Sequence, residues 1–410
     1  MITEHLRIGD LIDGLRAGVS VRSTETRSTD RGVLKTSSVF GGRFLPQEAK
    51  PIMNADLHRA RCSPRKDSII ISRMNTPALV GAVGYVTDDH DDLFLPDRLW
   101  MARQAHHAEI DMRWLCYYLS SATGSRSVRE LATGTSGSMK NIPKSAFLQL
   151  EVPVPSLGEQ RLVAKSLDDA ERLLIELERM VVKKQAIKRG MLQQLLTGNT
   201  RLPGFGGGWR TSTLAEIGDF QKGRGIKRDD VRSAGVPCIR YGELYTAFRD
   251  YTNATVSYVD IEVAGAALPI KAGDILFAGS GETRDDIGTA VAYIGTQAAV
   301  AGGDIIVLRG GTFNSVYVAA LMNSPGIAAQ KARLGQGDAV VHINSSSLGS
   351  IELTLPLLDE QNAIAAVIVD VDREIEALQR RLDKARRVKQ GMMQELLTGR
   401  TRLTGREGSS

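Results

Sequence analysis

The chain of 410 residues carries 52 Lys and Arg against 47 Asp and Glu, a net charge of +5, with 42% hydrophobic and 24% charged residues. That balance predicts a globular protein of two or three domains and excludes a disordered or collagen-like chain. No run approaches the ~18 apolar residues of a membrane span, Met1-Ile2-Thr3-Glu4-His5 has no apolar signal core, and Cys62, Cys116 and Cys238 lack paired spacing, so a reducing, cytoplasmic location without structural metal is expected.

Residues 1–154 read as a mixed domain of many short β-like runs. Residues 22–43, rich in Ser, Thr, Arg, Lys and Gly, are expected to be loops and hairpin turns with little to bury. Strands are expected at residues 67–72 and 80–86, and helices at 114–121 and 126–131. The polar turn Gly134-Thr135-Ser136-Gly137-Ser138 then leads through Asn141 and Ile142 into residues 147–154.

Residues 155–204 change character. Val163, Leu167, Ala170, Leu174, Leu177 and Val181 alternate steps of four and three, the seam of a coiled-coil helix of roughly 40 residues and about 60 Å. Pro153 and Pro155 disfavour helix before it, Ser156 with Glu159 fits a capping box, and Gly198 sits where a left-handed C-terminal cap belongs. Adding 201 to each number gives a second copy at 356–405 with the seam Ile364, Ile368, Val371, Ile375, Leu378 and Leu382, and about 22 of the 50 paired positions are identical. Leu357 occupies the cap position there, so packing is expected to hold the start of the second helix. Both copies contain Lys-x-Gly-Met-x-Gln-x-Leu-Leu-Thr-Gly. Gly190 and Gly391 each cost a helix ~1 kcal/mol, which suggests another backbone packed close. Two long helices with one apolar stripe each most simply bury those stripes against one another.

Residues 205–355 echo 1–154. The strand 274–278 is placed against 67–71 and residues 288–293 against 81–86, both at an offset of 207, and 335–351 falls back to 201 against 134–150. Five segments are expected: globular domains at 1–154 and 205–355, helical regions at 155–204 and 356–405, and a disordered tail at 406–410. The fold class is α+β, a pseudo-two-fold internal repeat. Residues 205–355 carry 13 Lys and Arg against 15 Asp and Glu, so overall charge permits an anionic partner without demanding one.

The order of globular domain, Pro-x-x-x-Glu-Gln helix ending in Leu-Leu-Thr-Gly-x-x-Arg-Leu, second globular domain and second such helix resembles the DNA-specificity subunit of a type I restriction-modification enzyme. The segments Arg73-Met74-Asn75-Thr76-Pro77 and Gly134-Thr135-Ser136 are similar to that family's target-recognition domains. The resemblance implies a non-catalytic protein whose two recognition domains read the halves of an asymmetric bipartite site. It further implies that the helices form an antiparallel coiled coil that sets the spacing and docks two methyltransferase subunits, and that a restriction and translocase subunit joins. S-adenosylmethionine, ATP and Mg are then expected in the partners only.

Side-chain chemistry nominates the DNA contacts. Arg forks onto guanine and Asn onto adenine, while Lys and Ser hold phosphate. The candidates are Arg27, Arg31, Lys35, Arg43, Arg73, Asn75, Ser136, Ser138, Lys140 and Asn141 in the first domain. In the second they are Lys222, Arg224, Lys227, Arg228, Arg240, Arg284, His342, Asn344 and Ser345; Tyr241 is assigned to the core. Each of these also reads as a solvated charge or turn former. No Pro-Pro occurs, so the Asn/Asp-Pro-Pro-aromatic motif of a base-flipping methyltransferase is missing, and no Gly-x-x-x-x-Gly-Lys-Ser/Thr loop is present. The other reading is a coiled-coil scaffold that binds proteins rather than DNA.

Overall fold

The computed structural model describes residues 4–25, 30–134, 138–337 and 340–403. They fall into two compact units, one of Met1–Arg179 with Arg380–Ser410 and the other of Met180–Gln379. Two long helices, Leu157–Leu196 and Leu358–Leu396, each contribute to both units. Both Ser156 and Glu159 make the capping-box hydrogen bonds, and Gly198 (φ +73°) and Gly399 (φ +70°) close the helices in the left-handed conformation.

Within each unit the two helices run antiparallel. In the first unit Lys389 meets Glu171, and Arg386 meets Glu178 at 3.1 Å; in the second Lys188 meets Asp372 at 2.8 Å and Lys184 meets Glu374. The seam residues Val163, Leu167, Leu174, Leu177, Val181, Ile364, Ile368, Ile375 and Leu382 are buried. Full burial of one such side chain stabilises by about 1.5–3 kcal/mol. Leu378 is only half-buried. Gly190 and Gly391 depart from expectation: both are exposed, and a side chain at either would meet open space within its unit.

Charge interrupts the apolar seam once per unit. Buried Glu171 meets the half-buried Lys389 in the first, Asp372 and Lys188 lie buried together in the second, and the duplication at offset 201 relates Glu171 to Asp372 and Lys188 to Lys389. Burial works to raise the Glu171 pKa, but the Lys389 ammonium and the Arg43 guanidinium outweigh it and hold the carboxylate below its ordinary range. Each ion pair also grips its globular part. Arg43 binds Glu171 and reaches Glu178 at 3.0 Å, and Lys188 contacts Asp250 at 3.5 Å while Arg249 stands 4.0 Å from Asp372.

The Glu-Gln motif does similar work. Gln160 accepts a hydrogen bond from the Asp111 backbone N–H (2.7 Å) and donates to the carbonyls of Glu109 and Pro155. Gln361 accepts from the Asn314 backbone N–H (3.0 Å) and donates to the Pro356 carbonyl. These bonds fasten each long helix to the N-terminus of a buried helix, Met112–Ser120 or Ser315–Met322, capped by Asp111 or Asn314. Arg201 binds Glu360 with two hydrogen bonds of 2.5 Å, and Arg402 stands 3.9 Å from Glu159. The start of the second helix is therefore held by Arg201 and Gln361 rather than by Leu357, which is exposed.

Each globular part has its own central sheet, and the two sheets have the same strand order. The first orders its strands Ile12–Ala17, Leu99–Gln104, Ser68–Ser72, Val83–Val86, Gly42–Phe44, Val39–Phe40; the second orders Asp219–Lys222, Ile305–Arg309, Ile275–Ala278, Ala290–Tyr293, Tyr251–Thr252. In both, the strand beyond Val83–Val86 or Ala290–Tyr293 pairs parallel and the inner strands antiparallel. One apolar face covers the helix pair: Trp114, Phe147, Ile69 and Ile71 cluster with Val163, Leu167 and Leu397, and Tyr317, Phe277 and Leu308 cluster with Leu195, Ile364 and Ile368. Residues 30–44 form short strands rather than loops alone, and Val33, Leu34 and Val39 are buried there.

Pairing corrects one alignment. Ile69 faces Tyr85 and Ile275 faces Ala292, so the central strands correspond at an offset of 206 while their partners keep 207. The identity of Asp67 and Asp274 is misleading. Asp67, with φ +58°, is matched by Gly273, with φ +96°, since each hydrogen-bonds the same strand end, at Val86 or Tyr293. Glycine adopts that left-handed conformation without strain, and Asp is among the few other residues that tolerate it.

Candidate nucleic-acid interface

Polar candidates gather where a two-residue ladder crosses the end of each central strand. In the first unit Met74–Asn75 pairs with Lys140–Asn141, and in the second Ser280–Gly281 pairs with Val341–His342. Asn141 exchanges both backbone hydrogen bonds with Thr133, and His342 does the same with Gln336. The next residue, Ile142 or Ile343, donates to the carbonyl of Arg73 or Gly279. The main chain of the two ladders is thus fixed alike.

Their side chains differ. Arg73 lies over the Trp100 ring at 5.5 Å, and its Nε donates to Asn141 Oδ1 at 3.3 Å. Lys140 Nζ donates to the Gly134 carbonyl at 2.6 Å, and Ser138 is exposed beside it in sequence. Asn75 is buried, its amide nitrogen donates to Ser72 Oγ, and its carbonyl accepts from the Thr76 N–H. In the second unit His342 Nδ1 lies 2.9 Å from Ser280 Oγ. His342 lines a cleft of about 440 Å³ together with Gln221, Lys222, Gln336, Asn344 and Ser345. Asn344 there caps the helix Ser345–Gly349 through its Oδ1. Arg284 reaches the Gly335 and Gly337 carbonyls at 3.4 and 3.3 Å, on the loop that precedes Val341–His342.

Other candidates lie apart from these ladders. Arg43 belongs to the helix-facing charge network, so its expected place on a DNA-facing surface does not hold. Lys35 pairs with Glu48 at 3.4 Å, and Arg31 is exposed at the head of the strand Gly32–Leu34. Arg240 is spent on Glu243 in the next turn, with Nε and a terminal nitrogen each at 2.9 Å. Lys222, Arg224, Lys227 and Arg228 are all exposed, but only Lys222 lines the cleft. Tyr241, assigned to the core, is 41% exposed, because it opens a short helix, Tyr241–Thr246, whose buried face is Glu243 and Leu244. Arg27 and Ser136 lie outside the described residues.

The residues that sequence reasoning missed are the charged and amide groups of the joint: Glu171, Lys188, Asp372, Lys389, Gln160, Gln361 and the pair Arg113–Asp168, whose Nε to Oδ1 distance is 2.5 Å. The readable signal was recurrence at 201 of a charged residue inside the seam.

Comparison with known proteins places this architecture. The chain is 25% identical over 281 residues to the type I restriction enzyme MjaVIII specificity subunit of Methanocaldococcus jannaschii, a match that covers 64% of this chain and 65% of that relative, just under two thirds of its length. It is 22% identical to a putative type I restriction enzyme MjaX specificity subunit of the same organism, over 82% of this chain and 78% of the relative. Among solved structures it is similar to the S subunit of a type I restriction-modification system from M. genitalium (TM-score 0.62, 16% identity, 96% and 95% of the two chains). It is also similar to a chain from a structure of type I system assembly and conformational transition (TM-score 0.55, 17% identity, 96% and 97%). These likenesses show the fold. A family model described as the type I restriction modification DNA specificity domain matches residues 58–189 and 206–386, the larger part of the sequence, and the chain belongs to that family.

Proposed function

We propose that the chain is the DNA-reading subunit of a type I restriction-modification complex, with each globular part reading one half of a bipartite, asymmetric site. The observation that supports this most is the pair of ladders, alike in main chain and unlike in side chain, carried on two helical joints related by the duplication. One scaffold repeated with two polar surfaces suits two unlike half-sites. Catalysis then belongs to partners: methyltransferase subunits that bind S-adenosylmethionine, two of them by the symmetry of the duplication, and a restriction subunit that uses ATP and Mg. The exposed glycines Gly190 and Gly391, one in each repeat and each three residues beyond an exposed β-branched side chain (Ile187, Val388), fit a site where a partner's helix comes close. Among the described residues no helix is long and apolar enough to cross a membrane, and a cytoplasmic complex acting on DNA is the setting proposed.

Binding of the assembled complex to duplex DNA tests this. Affinity should fall steeply, by orders of magnitude, between low and physiological salt as counterions are released, and mapped modified bases should define two different half-sites. Protein binding by the chain with no salt-dependent DNA binding would instead favour the scaffold.

A further inference from the structure

We propose that Arg73 with Asn141 in the first unit, and His342 in the second, are the specificity-determining residues of the two half-sites. The inference rests on the DNA-reading function above and names the groups that carry it. Asn141 and His342 occupy one position of the duplicated frame, related by the offset of 201 and held by matching backbone hydrogen bonds to Thr133 and Gln336. With the main chain alike, only the side-chain chemistry can distinguish what the two positions read.

That chemistry differs in kind. The Asn141 carbonyl already accepts from Arg73 Nε, and the side-chain nitrogens left without a partner among the described residues are all donors: the Asn141 amide nitrogen and the two terminal nitrogens of Arg73. Trp100 under the guanidinium and Asn141 at its Nε hold that fork in place before any ligand arrives. A fork of donors matches the N7 and O6 acceptors of guanine in the major groove and mismatches adenine, which presents a donor beside its N7. The first half-site therefore contains a guanine read by Arg73. At the second position Ser280 occupies His342 Nδ1, so Nε2 is the one ring nitrogen left, a single hydrogen-bonding atom beside Lys222 and Gln221 in the cleft. One atom discriminates less than a fork, and His342 sets one base of the second half-site with a weaker preference.

The test uses the full chain, expressed with its methyltransferase, with modified positions mapped across DNA and affinity measured on duplexes altered one base pair at a time. Arg73→Ala should relax the preference for guanine at one position of one half-site by roughly 5- to 150-fold, with every other position retained. Arg73→Lys keeps the charge over Trp100 but replaces the fork by a point donor, so it should bind DNA with much of the guanine preference lost, and it stands in where Arg73→Ala does not fold. Independently, His342→Asn should change the preferred base at one position of the other half-site only. The inference is overturned if Arg73→Ala weakens all sequences alike, the behaviour of a phosphate contact, or if both variants leave the recognised site unchanged. A wild-type complex with no sequence preference would instead overturn the DNA-reading function, a separate outcome visible before any variant is made.

Discussion

Replacing Lys188 by methionine would leave Asp372 buried with Arg249, 4.0 Å away and largely exposed, as its remaining cation. At 2.8 Å and an effective dielectric of ~20 the gross attraction between Lys188 and Asp372 is about 6 kcal/mol, and desolvation of the two charges offsets much of it. The cost of breaking such a pair is instead set by the stranded charge, roughly 3–5 kcal/mol. The repeat supplies an internal control. In Lys389→Met the Glu171 carboxylate keeps Arg43, so the loss there should be the smaller, about 1–3 kcal/mol. The double variant Lys188→Met with Asp372→Leu removes both charges and should recover most of the loss. Urea unfolding followed by circular dichroism, with hydrogen exchange of residues 180–196 to localise the effect, measures all four proteins. Equal losses in the two single variants, or a double variant as unstable as Lys188→Met alone, would refute the reasoning.

Gly190→Leu and Gly391→Leu should leave the melting temperature of the chain unchanged or raise it, since each new side chain meets open space and helix propensity improves by ~1 kcal/mol, while each should weaken capture of one methyltransferase subunit; unchanged capture in a pull-down would remove these glycines from the docking surface. Lys331, buried and donating to the Gly288 carbonyl at 2.7 Å, stands against Gly288 as Val128 stands against Gly81. Burial lowers its pKa to about 8. A lysine depressed in this way weakens the fold where it is charged, so stability should rise as pH climbs from about 8 toward the unfolded value near 10.5, by roughly 3 kcal/mol in wild type relative to Lys331→Met; parallel stability curves for the two proteins would contradict it. Residues 1–205 alone should dimerise, because Glu171 of one copy would meet Lys188 of the other as it meets Lys389 here, and a fragment that sediments as a monomer with its methyltransferase present would count against that pairing.

The long helices were legible because alternating steps of three and four, a capping box and a terminal glycine agree, and because the repeat states them twice. The ion pairs in the seam were not. A charged residue on a helix ordinarily reads as a solvated face, and Ala170 fits the apolar spacing as well as its neighbour Glu171, which the fold buries. The strand offset was misread because Asp67 and Asp274 share an identity while the backbone conformation of Asp67 recurs at Gly273. Gly190 and Gly391 each cost their helix about 1 kcal/mol, and the close backbone that this cost suggests is not found within their own units. Residue type alone favoured Asn75 in the first ladder and Arg240 away from the second, and their hydrogen bonds to Ser72 and Glu243 are not legible in the sequence; only the pairing shows that Asn141 and His342 are counterparts.

Among the described residues the amides of Gln160 and Gln361 hydrogen-bond only to peptide groups: those of Glu109, Asp111 and Pro155 in one case, of Asn314 and Pro356 in the other. A coupling that grips the polypeptide itself, and not its substituents, is blind to what the attached module spells. New recognition surfaces can then be fitted to the same shaft by recombination or drift, provided a capped helix still offers its first amide to the glutamine.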